Sequence, residues 1–165
     1  MRKFGRLGLV GALALVGAVV LVAAGHGSSL GGRQHVAIQI TAKDTDSEPG
    51  VGKGTFKLIV GPGKLGADRG PMTYAEGIYR RGTQDGQYFE LGRGTDTLEG
   101  KAGTLVIRRE DRLVNVFDRI VITGTWNAVS GTGAYAGVKG GGRHASLELA
   151  SGIFHVQYEG ILTVP

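Results

Sequence analysis

The chain has 165 residues, with 19 Lys and Arg against 14 Asp and Glu for a formal charge of +5, 31 glycines and no cysteine. The lack of cysteine excludes disulfides, thiolate catalysis and cysteine-based metal sites. The positive balance does not make a nucleic-acid surface: three of the basic residues sit at the extreme N-terminus, and the others form only short clusters, Arg80-Arg81 and the interrupted "RREDR" of Arg108 to Arg112, which read as solvated strand ends.

Arg2, Lys3 and Arg6 precede an uncharged run from Leu7 to Ala24 that ends in Val22-Ala23-Ala24. A basic start, an apolar stretch and small residues at its end predict a signal helix over residues 1–24, cut near Ala24, and therefore a secreted chain. An uncleaved anchor is the alternative, since the run reaches the lower length limit of a spanning helix, and membrane contact is expected through this segment alone. Without it, 16 basic residues face 14 acidic ones. Residues 25–34 read as a flexible leader, and residues 35–165 as one domain.

From His35 onward, short apolar alternations are separated by Gly, Asp and Pro. "HVAIQIT" puts Val36, Ile38 and Ile40 on one face, and "GTFKLIV" does the same with Phe56, Leu58 and Val60. Two less regular strands follow over Pro71–Arg80 and Gln87–Glu99, then "TLVIRRE", "LVNVFDRIVITGTW", "RHASLEL" and "IFHVQYEGILTV". Period two throughout, with no helical period, predicts an all-β domain of about eight antiparallel strands closed into a barrel. In "LVNVFDRIVITGTW", the interior face would be Val114, Val116, Ile120, Ile122 and Trp126. In "IFHVQYEGILTV" it would be Phe154, Val156, Tyr158, Leu162 and Val164.

The stretch "SGTGAYAGVKGGGR", Ser130 to Arg143, invites comparison with a phosphate loop. A dinucleotide fingerprint needs a helix N-terminus after its glycines, and here the chain continues as strands; no Gly-Lys-Ser/Thr is present either. Turn and bend chemistry is the better reading, and no cofactor is expected. "DTDSEPG" spaces Asp44, Asp46 and Glu48 as a calcium loop would, but Pro49 occupies the turn, so a solvated hairpin loop is expected. His26, His35, His144 and His155 form no ligand pair, His144 and His155 are expected to face outward, and no metal site is expected.

Two acids break the inward pattern. Glu76 shares a face with Met72, Tyr74 and Ile78, and Asp118 falls on the face of Ile120 and Ile122. A carboxylate inside an apolar barrel is costly unless paired, which makes Glu76 and Asp118 the candidate catalytic residues. A β-bulge near Phe117, turning Asp118 outward to pair with Arg119 or Arg93, is the structural alternative.

Four stretches, "GTFKLIVGPGKLGADRGPMTY", "GRGTDTLEGKAGTLVIR", "ITGTWNAVSGTGAYAGVKGGGR" and "FHVQYEGILT", resemble small exported bacterial proteins with an allene-oxide-cyclase-like or dirigent-like β-barrel. The resemblance implies an eight-stranded barrel with an apolar interior, which in plant relatives holds oxylipins or phenolic radicals. The plant cyclases work with a pocket Glu and Cys, and this chain has no Cys, so their catalysis does not carry over. The expectation is an exported barrel that binds a small apolar ligand or serves as a scaffold, with Phe56, Tyr74, Trp126, Phe154 and Tyr158 lining its interior. The alternatives are a cyclase or isomerase acting in the cavity on a lipid-derived or phenolic substrate, and a homo-oligomeric surface protein with a solid barrel.

Overall fold

The structure, a computed structural model, describes residues 32–45, 48–116, 119–149 and 152–165. Eight strands follow in order: β1 Arg33–Thr45, β2 Glu48–Val60, β3 Asp68–Gln84, β4 Gln87–Gly100, β5 Gly103–Val116, β6 Arg119–Gly131, β7 Lys139–Glu148 and β8 Ile153–Thr163. Each pairs antiparallel with the next, and β8 pairs with β1, which closes the barrel. Closure removes every sheet edge, so the ladder satisfies backbone groups without disulfides. The segment expected as signal helix lies outside the described residues. The expected leader ends earlier than its composition suggested: β1 begins at Arg33, and Gln34 is buried, its amide donating to the Gly61 and Leu65 carbonyls.

The two ends of the barrel differ. The connections β2–β3, β4–β5 and β6–β7 lie at one end, and this end is plugged. Leu65, Tyr135 and Val138 are buried there, and the Tyr135 hydroxyl donates to Asp68 at 2.9 Å. Asp68 also accepts the backbone N–H groups of Arg69, Lys101 and Ala102. Burial works against its charge, but these donors, Tyr135 first, hold its carboxyl below the usual range. The glycine-rich stretch builds this plug: after β6 a single 3-10 turn, Gly133–Tyr135, carries Tyr135 inward. Gly133 has φ +57, and a Cβ there would strike the Ala102 carbonyl oxygen.

Above the plug, Ile38, Phe56, Leu58, Leu98, Leu105, Ile107, Trp126 and Leu162 form a solid core. The predicted inward faces of β1 and β2 are found, as are Trp126, Tyr158 and Leu162. Three expectations are corrected. "LVNVFDRIVITGTW" is not one strand, because β5 runs to Val116 and Val116 pairs with Arg119 at the start of β6. Partners across this hairpin have opposite parity, so Leu113 turns inward on β5 while Val114 and Val116 take the outward register. "RREDR" is not a solvated strand end, since Arg109 and Asp111 follow Leu105 and Ile107 into the barrel. His144 faces inward rather than outward: it pairs with Gly124 on β6 and Tyr158 on β8, and those registers send Leu147 to solvent instead.

Glycines on the inner wall make room for these large groups. Gly94 lies beside Arg109 and Gly124 beside both Asp111 and His144. A Cβ on Gly94 would collide with the Arg109 guanidinium, and one on Gly124 would meet the Glu110 carbonyl oxygen and come within 2.6 Å of His144 Nε2. Gly77 has nothing within 4 Å. Gly124→Ala is therefore expected to destabilise by about 1–3 kcal/mol. Gly77→Ala should stay within about 0.5 kcal/mol of the parent. Urea unfolding of both variants checks this, and equal effects would mean that Gly124 is not a steric requirement.

Candidate functional site

The inward positions of β3, β4, β5, β7 and β8 bring a charged cluster together above the solid core. Arg109 is 6% exposed and uses three of its N–H donors on three carboxylates. Nε donates to Asp96 at 3.0 Å, Nη1 to Asp111 at 2.7 Å and Nη2 to Glu76 at 3.3 Å. Tyr158 donates its hydroxyl to the other oxygen of Asp96. The His144 ring stacks on Tyr158 with centroids 5.2 Å apart, and Trp126 meets Tyr158 edge-on at 5.9 Å. His144 Nε2 lies 2.8 Å from Asp111 Oδ1, close enough for an ion pair but misaligned as a hydrogen bond. His144 Nδ1 and Ser146 Oγ are buried without a protein partner among the described residues.

Electrostatics follow from one guanidinium shared among three acids. Burial alone would weaken the Arg109 charge, yet Asp96, Asp111 and Glu76 outweigh it and raise its pKa. Burial pushes the Glu76 carboxyl up despite the pull of Arg109. It does the same to Asp96, against Arg109 and the Tyr158 hydroxyl. The Tyr158 hydroxyl is held well above its ordinary range by burial and by the adjacent Asp96 charge. Of the two acids raised in this way, Glu76 is the readier to take up a proton, because both Asp96 oxygens already accept strong donors.

Above the cluster lies a cavity of about 160 Å³ that opens toward the β1–β2 end of the barrel. Ile40, Ala42, Met72, Leu113, Ile120, Ile122, Phe154 and Val156 supply apolar walls. Glu76, Asp96, Arg109, Ser146 and Tyr158 supply the polar lining, and Asp44 and Tyr74, hydrogen-bonded to each other, stand at the rim.

Of the residues expected at the site, Glu76, Tyr74, Phe154 and Tyr158 meet at this cavity. Phe56 and Trp126 are buried but belong to the solid core, and Trp126 Nε1 is used on the Arg143 and Glu159 carbonyls. Asp118 lies outside the described residues. Asp96, Arg109, Asp111, His144 and Ser146 were not anticipated. The usable signal was the alternation Leu105-x-Ile107-x-Arg109-x-Asp111-x-Leu113, which keeps charge in phase with an apolar face.

Comparison of the chain with family models and with curated proteins finds no match. The site therefore stands on its own geometry.

Two outcomes test the cluster. Arg109→Met strands buried carboxylates and should cost about 3–5 kcal/mol near neutral pH. That deficit should shrink on acidification, as the unpaired acids take up protons; denaturant titrations at two pH values check this, and a deficit independent of pH would contradict the account. The raised Glu76 pKa means that the folded state binds its proton more tightly than the unfolded chain. Its contribution is thus full below the ordinary carboxylate pKa and lost as pH rises through the raised value. Melting temperatures between about pH 5 and pH 8 should fall less steeply for Glu76→Gln than for the parent. Parallel curves would rule out Glu76 as the titrating group.

Proposed function

We propose that the chain is an exported β-barrel that binds a ring-sized, mainly apolar small molecule at its open end. The observation that carries this reading is the 160 Å³ cavity, with apolar walls and a few convergent polar groups. A buried apolar cavity of about 150 Å³ accommodates one benzene ring. The volume thus favours a single ring over a whole fatty-acid chain, whose remainder would have to extend through the mouth. An eight-stranded barrel is common to several families, so the fold supports kinship with allene-oxide-cyclase-like and dirigent-like proteins without identifying it.

A cyclase or isomerase is the second reading, favoured by a Glu76 carboxyl that faces the cavity with its pKa raised. A carboxyl raised in this way is better matched to proton transfer than an ordinary one. Native mass spectrometry of protein isolated from its own host should show a co-purifying small molecule, and Ala42→Phe, which fills the cavity from β1, should abolish it while the fold persists. Retention of the same ligand by Ala42→Phe would place binding elsewhere. Glu76→Gln separates the two readings: a binder keeps its affinity for a neutral ring, whereas an acid–base enzyme loses about 100-fold or more in turnover.

A further inference from the structure

The binding reading leaves the ligand's polar end open, and the interior charges address it. Inside the barrel, Glu76, Asp96 and Asp111 face a single guanidinium, that of Arg109. The cluster therefore carries a formal excess of two negative charges, or one with His144 protonated. Such an excess out of water calls for protonation or for another cation. The three acids are not equally free to accept one. Both Asp96 oxygens are engaged, and Asp111 does not line the cavity. Glu76 lines it, makes the longest of the three contacts to Arg109, and has the most exposed side chain of the three at 13%.

A second observation is independent of the acids. Ser146 is 6% exposed, lines the same cavity, and its hydroxyl has no partner among the described residues. It stands on β7, four strands round the eight-stranded barrel from Glu76 on β3, and so on the opposite wall. A buried hydroxyl left unpaired costs free energy that a ligand polar group would recover. Tyr74 on the Glu76 wall, and Phe154 and Tyr158 on β8 beside the Ser146 wall, add aromatic rings to the lining, and aromatic faces attract cations. Among the described residues no three acids or histidines converge as metal ligands, which points to an organic cation rather than a metal ion.

We infer that the cavity takes an organic ammonium carried on a ring-sized apolar body, with Glu76 as its counter-ion and Ser146 meeting a polar group on the far side. This rests on the binding reading above. The ammonium needs Glu76 ionised, so acidification should weaken its binding. The other titratable or charged groups facing the site are Asp44 from β1, Tyr74 from β3, Asp96 from β4, Arg109 and Asp111 from β5, His144 from β7 and Tyr158 from β8.

The test uses three single-ring probes of similar size, benzylamine, benzyl alcohol and benzoate, titrated calorimetrically into the purified protein. Benzylamine should bind more tightly than benzyl alcohol by about tenfold or more, the scale of one charge-assisted hydrogen bond. Benzoate should bind weakest of the three. Glu76→Gln should remove the preference for the amine and leave the alcohol unchanged, and Ser146→Ala should weaken tyramine more than phenethylamine. Should Glu76→Gln not fold, the parent alone decides, because its affinity for the amine must fall on acidification while that for the alcohol holds. Alcohol binding equal to or tighter than amine binding would overturn the cation assignment and leave the binding reading standing. Failure of all three probes to bind would overturn both.

Discussion

The interior of this barrel is organised around one side chain, Arg109. Its guanidinium reaches acids on β3, β4 and β5, and through Asp96 and Asp111 it is connected to Tyr158 on β8 and His144 on β7. Hydrogen bonds and close polar contacts thus join five of the eight strands at one level. Each charge removed from water costs several kcal/mol, which good geometry recovers only in part. A set of apolar residues of equal volume would serve stability as well, so the network is not explained by stability. It does fix where the strands stand relative to one another. A slip of one residue in β5 would send Arg109 and Asp111 outward and leave Glu76 and Asp96 inside without a cation.

The glycines complete that constraint. Along one row of neighbouring strands, Glu76, Gly94, Arg109, Trp126 and Gly142 stand side by side. Along the next, Gly92, Asp111, Gly124, His144 and Tyr158 do so. Bulky or charged side chains thus project over positions that have no side chain of their own. An eight-stranded barrel has room for few large groups at each level. Glycine is the residue that lets a guanidinium, an indole and an imidazole share that room. The glycine content that first suggests turns and bends therefore has a second use inside the sheet.

The architecture was legible because Val36, Ile38 and Ile40, or Phe56, Leu58 and Val60, alternate without interruption and leave one interpretation. Glu76 was legible for the same reason, as an acid in phase with Met72 and Tyr74. The rest of the cluster was hidden where polarity and burial disagree. On β4 the inward series is Gly92, Gly94, Asp96 and Leu98, so a pattern of apolar residues barely exists. On β7 the inward residues are His144 and Ser146 while Leu147 faces solvent, which inverts the usual sign. Their register is set by β6 and β8, and non-local pairing cannot be read from the strand itself. The inward assignment of Val114 and Val116 failed for a related reason: continuing one parity through Val116 ignores the change that a hairpin imposes on its partner strand.

The same cluster also explains why the cavity sits where it does. At the plugged end, Asp68 is fully engaged by Tyr135 and three backbone N–H groups, and Gln34 binds the Gly61–Leu65 segment, so neither of these buried polar side chains calls for a further partner. Toward the open end, Ser146 lacks a partner among the described residues and Glu76 is held only at 3.3 Å. A barrel filled from one end with matched groups, and left unmatched toward the other, concentrates its unused interaction energy at the mouth. Apolar walls around that region strengthen each polar contact made there, because the local dielectric is low. Tightly matched and less matched polar groups are thus divided along the barrel axis, with the Arg109 network as the boundary between them.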